Sequence, residues 1–231
     1  MRSPFLLTYK RISIFLFIAT LVSGGNIAAQ KIGFGIFADP VISWFSTDIS
    51  GVKNDGTRAG FNFGLTFNKY FSPNYAFSTG INILTAGGRL VGKDTTVMKF
   101  TNNSSTVLPG KPVVYKIQYL DIPIGLKLQT NQIGYLTFYS DLGLDPMVVI
   151  AGKADIPSLN IAGENALSEL NRFNLGYHIT AGFEYSLGGT TAIVFGLGFE
   201  NNFLDVTRDI NDQPTDKVSH KMVKFRIGVN F

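Results

Sequence analysis

The last twelve residues carry the clearest pattern in the chain. In His220–Phe231, Val223, Phe225, Ile227, Val229 and Phe231 fall on one parity, and Lys224, Arg226, Gly228 and Asn230 fall on the other. Successive side chains of a strand point to opposite faces, so this alternation predicts a strand with one apolar face and one polar or small face. The same pattern returns over Gly60–Phe67, Tyr75–Ile83, Phe173–Tyr185 and Thr191–Phe203. Three stretches are less regular. Ile32–Trp44 contains Pro40, which suits a strand end or a bulge better than a central ladder. In Val113–Leu128 the apolar parity is odd through Tyr119 and even from Leu120, and a β-bulge near Tyr119–Leu120 would explain the switch. Tyr135–Ile150 sets Leu136, Phe138, Leu142 and Leu144 against Tyr139, Asp141 and Gly143.

These stretches make about eight strands of about ten residues each, the length that crosses a bilayer at a tilt. The connections alternate in length. Short ones lie at Ser72–Asn74, Thr130–Gln132 and Gly188–Gly189, and long polar ones over 45–59, 86–112, 151–171 and 207–219. Short turns at one end and long loops at the other predict an all-β fold, a transmembrane antiparallel up-and-down β-barrel. An even strand count puts both mature termini in the periplasm of an outer membrane. Aromatic residues near strand ends (Trp44, Tyr70, Phe71, Tyr75, Tyr115, Tyr119, Tyr135, Phe173, Tyr185 and Phe203) are expected to form interfacial girdles. A soluble β-sandwich or lipocalin-like barrel also alternates. Its exposed parity would then be Gly, Asn, Ser and Thr with scattered charges, a thin surface for a soluble protein.

The first 29 residues change the charge. Arg2, Lys10 and Arg11 precede an apolar run from Ile12 to Val22, and small residues follow to Ala29. That order is a secretory signal with cleavage after Ala29, leaving a barrel domain over 30–231. The run is shorter than the ~20 residues of a spanning helix. The leader holds three basic residues and no acid, so the formal charge falls from +4 to +1 on its removal. No Lys/Arg cluster remains to suggest nucleic-acid binding. The chain has no cysteine and only His178 and His220, which removes disulfides, a lipid-modified cysteine and a His/Cys zinc site. With 20 phenylalanines it is too aromatic for a disordered chain.

The segment Tyr119-Leu120-Asp121-Ile122-Pro123-Ile124-Gly125-Leu126-Lys127 resembles the Y-L-acidic-I-P-apolar strand of the PorT-like outer-membrane β-barrels of Bacteroidetes. The Gly-rich opening strand, Asp141-Leu142-Gly143 and the closing Phe225–Phe231 fit the same pattern. The resemblance spans the mature chain and implies an eight-stranded barrel ending on an aromatic assembly signal. It further implies an accessory role in type IX secretion, which exports proteases and adhesins, or in envelope assembly.

The inward parity collects Asp39, Asp121, Lys127, Asp141, Glu184, Glu200, Lys224 and Arg226. Charges in a low-dielectric interior must pair, and an eight-stranded barrel is just wide enough for its own side chains. The expectation is a lumen filled by a polar network, with His178 as a further hydrogen-bonding member and Gly33 and Gly35 as small lumen-facing residues. A narrow path for ions or small solutes is the alternative. Glu184 and Glu200 could pair as catalytic carboxylates, but a closed lumen admits no substrate. There is no G-x-S-x-G and no phosphate-loop motif, and Gly87–Gly88 and Gly188–Gly189 read as turns. No catalytic set, cofactor site, metal site or small-molecule substrate is expected. The partners expected are outer-membrane lipid and secretion-system components meeting the loops 86–112 and 151–171.

Overall fold

The computed structural model describes residues 31–48, 50–101, 104–208 and 217–231; the expected leader lies outside them. Thirteen strands follow one another: β1 (Ile32–Thr47), β2 (Val52–Asn54), β3 (Arg58–Ser72), β4 (Tyr75–Gly92), β5 (Thr96–Lys99), β6 (Ser104–Val107), β7 (Pro112–Asp121), β8 (Ile124–Gln129), β9 (Leu136–Ile156), β10 (Ile161–Asn165), β11 (Phe173–Gly188), β12 (Thr191–Asn202) and β13 (Val218–Asn230). Each of β1, β3, β4, β9, β11, β12 and β13 is one stave of a barrel, and β7 with β8 forms the remaining stave. Every stave pairs antiparallel with its neighbours, and β1 closes the ring by pairing with both β3 and β13. Closure leaves no stave with an unpaired edge, which a bilayer requires of any strand that crosses it. The carboxyl-terminal Phe231 extends the β1–β13 seam: its N–H donates to Phe34 O at 2.7 Å and its carbonyl accepts from Phe34 N at 3.2 Å.

The turn end carries the short connections expected at Ser72–Asn74, Thr130–Gln132 and Gly188–Gly189. The last uses two left-handed glycines, at φ 106° and 61°, where a side chain would be strained. The loop end carries the long connections. Above the staves, β2 adds to β4, β10 adds to β9, and β5 and β6 form a separate hairpin. Within the connection after β10, a single 3-10 turn forms at Leu167–Glu169.

Around the turn-end half, the outward parity is an apolar belt. Phe34, Ile36, Phe63, Leu65, Phe77, Ile81, Ile124, Leu126, Phe195, Leu197, Phe225 and Ile227 are all exposed. In water each such side chain would forfeit about 1.5–3 kcal/mol of burial, whereas lipid accepts it.

Above the belt, inside and outside exchange polarity. On β7 the outward residues include Lys116 and Gln118, while Val113, Tyr115, Ile117 and Tyr119 point inward and are buried. On β13 the outward residues become Ser219 and Lys221 while Val218 and Met222 are buried inside. This exchange accounts for the parity switch in Val113–Leu128, and it replaces the bulge expected in that strand. Against β4 the pairing runs from Val91↔Pro112 to Asn82↔Asp121 and on to β8 without a shift, so β7 never turns its faces. A register shift does fall between Gln118 and Tyr119, but the extra residue is on β9. Tyr119 pairs with Val149 and Gln118 with Ala151, leaving Ile150 unopposed. The switch in sequence is a change of surroundings, lipid below and water above.

Three other expectations are corrected. Pro40 is neither a strand end nor a bulge. It sits mid-β1, facing outward opposite Phe61, and the β13 ladder lapses over residues 38–40 and resumes in the same register, as a missing N–H dictates. Gly87–Gly88 is no turn but lies within β4. A Cβ on Gly88 would stand 2.6 Å from the Phe45 ring, so the glycine makes room for a buried aromatic. Tyr115 and Tyr119 are interior residues rather than girdle residues, because their stretch of β7 lies above the belt.

Candidate functional site

The barrel interior has two levels. The turn-end level is polar, and its first element is the β8–β11–β13 group. Lys127 pairs with Glu184, Asn230 Nδ2 donates to the same carboxylate at 2.8 Å, and the Lys127 ammonium lies 5.1 Å from the Tyr139 ring centre. Next toward the loops, Arg226 pairs with Asp39. Nη2 reaches Oδ2 at 3.0 Å and Nε reaches the two oxygens at 3.2 and 3.3 Å. Asn62 Nδ2 donates to Asp39 at 3.1 Å, and the guanidinium stacks 3.9 Å from the Phe37 ring centre. Planar guanidinium meets carboxylate and aromatic face together, which a lysine could not reproduce.

Beside this pair, His178 bridges two carboxylates on β9. Nδ1 lies 2.8 Å from Asp145 and Nε2 lies 3.5 Å from Asp141. Ser78 Oγ donates to Asp141 at 3.0 Å. At the top of the level, Lys224 pairs with Glu200, and Asn82 Nδ2 donates to Asp121 at 2.8 Å. All eight residues expected in the lumen therefore lie there. Three cation–carboxylate pairs join six of them, and Asp121 and Asp141 are held by Asn82, Ser78 and His178.

Asp145 was not among the expected residues. It continues the inward parity of Asp141 and Gly143, so two further residues of β9 would have found it. The structure also brings in Asn62, Asn82 and Ser78, whose uncharged side chains carry no pairing signal in sequence. Glu184 and Glu200 lie on the neighbouring strands β11 and β12 but six register positions apart, and each is engaged by a different lysine. Among the described residues, no group of three or more His, Cys, Asp or Glu could hold a metal ion.

The loop-end level is apolar. Val41, Phe45, Leu84, Ile117, Tyr119, Met147, Val149 and Met222 fill the bore directly above Glu200 and Asp121. His220 is buried among them. Its Nε2 lies 3.2 Å from Gly87 O, which can only accept, so Nε2 carries the proton and Nδ1 is free to accept from the Tyr119 hydroxyl at 3.2 Å. Ser43 Oγ donates to the same Gly87 carbonyl at 2.7 Å. The apolar level continues without a break into the loop cap through Leu90, Met98, Phe100, Val107, Ala166 and Leu170. A side-chain network closes the lower bore, and packed hydrocarbon closes the upper.

The spacing of the network depends on Gly143. A Cβ there would lie 2.6 Å from His178 Cε1 and 2.6 Å from Ile124 O. Gly143→Ala is expected to push the imidazole off Asp141 and Asp145 and lower barrel stability by on the order of 2 kcal/mol. The drop should appear as a lower temperature at which the heat-modified gel species takes over. An unchanged transition would mean that the imidazole is not held in place by this contact.

The family model described as outer membrane protein beta-barrel domain matches residues 28–230. No curated protein matches the chain. Among solved structures, the chain is similar to Neisserial surface protein A, at 11% identity and a TM-score of 0.48, over 85% of this chain and 95% of that one. It is also similar to the attachment invasion locus protein Ail of Yersinia pestis, at 14% identity and a TM-score of 0.43, over 87% and 100% of the two chains. OprG of Pseudomonas aeruginosa matches at 14% identity and a TM-score of 0.43, over 87% and 95%.

Proposed function

Because the chain belongs to the outer membrane protein beta-barrel domain family, we propose that it is a non-catalytic outer-membrane barrel whose contacts, rather than its lumen, carry its role. The observation that carries this reading is the closure of the bore at two levels, one ion-paired and one apolar. The apolar level speaks against the narrow-channel alternative, since an ion would have to part Phe45, Tyr119 and Met222 and shed its water there. The engagement of Glu184 and Glu200 by separate lysines speaks against a catalytic carboxylate pair.

What is left for function is the loop end. Its loops fold into a built cap: the β5–β6 hairpin is tied to the Leu167–Glu169 turn by Ser168 Oγ donating to Lys99 O, and Thr101 N donates to Asn165 O at 3.1 Å. We place this cap outside the cell and both mature termini in the periplasm. The PorT-like segment Tyr119–Lys127 supports an accessory role in type IX secretion or envelope assembly, with secretion-system components as partners through the loops. Residues 93–111 and 157–172 are the contact surfaces, shorter than the 86–112 and 151–171 of the sequence reading because β4 and β9 run on into both.

The test is the extracellular protein content of a strain lacking the gene. The secretion role predicts proteases and adhesins trapped in the periplasm, restored by the intact gene and not by one lacking residues 93–111. Unchanged secretion in the deletion strain would refute the secretion role and leave only the barrel.

A further inference from the structure

The cap holds a cleft above the closed lumen, lined in part by the 93–111 segment. Its volume is about 70 Å³, and its walls come from β4, β5, β6 and β7 through Leu90, Met98, Val107, Val113 and Tyr115. β4 and β7 are paired staves and β5–β6 is a separate hairpin, so the cleft is a product of tertiary structure. At its rim Leu108 is 60% exposed, a large apolar side chain left beside the opening.

The walls select by chemistry. They are hydrocarbon, a thioether and an aromatic ring. The charges around it are of both signs, Asp94, Lys111 and Arg208 exposed and Glu169 buried with its carboxylate accepting from Lys99 N, so neither an anion nor a cation is favoured. The rim hydroxyls are already committed: Thr96 donates to Asp94 O at 3.4 Å and Thr207 donates to Asp205 Oδ1 at 3.1 Å. The cleft therefore rewards apolar contact and offers a ligand little hydrogen bonding.

Volume sets the size. A water takes about 10–15 Å³ of such space, so the cleft accommodates the equivalent of about five waters, a single ring or a short alkyl chain. It is far below the ~300 Å³ of the smaller drug-sized pockets, and it has no room for an acyl lipid.

We infer that the loop-end cap carries a binding site for a small uncharged apolar molecule, a single aromatic ring or short alkyl compound, seated against Met98, Val107 and Val113. The site stands on the cap's own geometry and is independent of any role in secretion.

The three methionines of the described chain give the test. Met98 lines the cleft, while Met147 and Met222 are fully buried in the bore below it. The barrel, labelled with ¹³C-methyl methionine in lipid nanodiscs, is titrated with benzene. The Met98 methyl is expected to shift along a saturating curve while Met147 and Met222 hold still. Benzene dissolved in the lipid alone would move no methyl to saturation, and that outcome overturns the site. Val113→Phe, which fills the cleft, should weaken half-saturation at least about tenfold, equivalent to about 1.4 kcal/mol. Val107→Phe fills it from the opposite wall and serves where the first variant does not give the folded, heat-modifiable species. Saturation unchanged in a folded filled variant would overturn the site, as would benzoate binding more tightly than benzene.

Discussion

Replacing Arg226 with methionine is expected to cost the barrel about 3–5 kcal/mol, the penalty for leaving a buried carboxylate without its cation. Asp39 is fully buried, and Arg226 supplies its closest charge-assisted contact at 3.0 Å. With the guanidinium gone, only the Asn62 amide at 3.1 Å remains to it. The double variant Arg226→Met with Asp39→Asn should recover most of the loss, because no uncompensated charge is then left behind. Urea unfolding of the barrel in lipid vesicles measures both. As a control, Lys221→Met, which points outward above the belt beside Trp44, should move the midpoint by less than about 0.5 kcal/mol. A single variant no less stable than the control would show that the pair is not a structural tie.

The second large effect belongs to the apolar level. Phe45 is 1% exposed, its ring packs edge-on to Tyr115 at 6.0 Å and tilts over His220 at 5.0 Å, and Gly88 opens the space it occupies. Phe45→Ala should cost about 3–5 kcal/mol, the usual range for deleting a buried phenyl ring. The loss should be local. Amide exchange is expected to quicken at Val113–Tyr119 and Val218–Met222, which line the same level, and to stay slow at Phe225–Val229, which lie at the height of the apolar belt. Uniform quickening along β13 would instead mean that the two levels unfold together.

Much of the barrel was legible in the chain because a stave in lipid repeats a period of two with its apolar side outward. Phe173–Tyr185 and His220–Phe231 alternate cleanly and pair as expected with their neighbours. The charged members of the lumen were legible for the same reason, since a charge on the parity opposite a run of Phe and Ile can only point inward. What failed to show was any feature that depends on height above the membrane. The switch in β7 looks like a bulge in sequence, because alternation reports which faces differ and not which one meets water. On that ground Tyr115 and Tyr119 look like girdle residues, yet they are buried core residues of the loop-end level. Gly87–Gly88 resembled a turn because the demand on Gly88 comes from Phe45, more than forty residues away. Partner choice within the lumen was equally hidden. Nothing local joins Asp39 to Arg226 across the β1–β13 seam, which exists only once the barrel has closed.

This outer-membrane barrel is closed at both levels of its bore. Single-channel recording of the purified, refolded protein in planar bilayers tests it most directly. A closed bore gives a baseline indistinguishable from the bare bilayer across both signs of voltage. Reproducible ohmic steps that scale with salt concentration would contradict it, because a bore packed by Phe45, Tyr119, Met147 and Met222 above three ion pairs leaves hydrated ions no path.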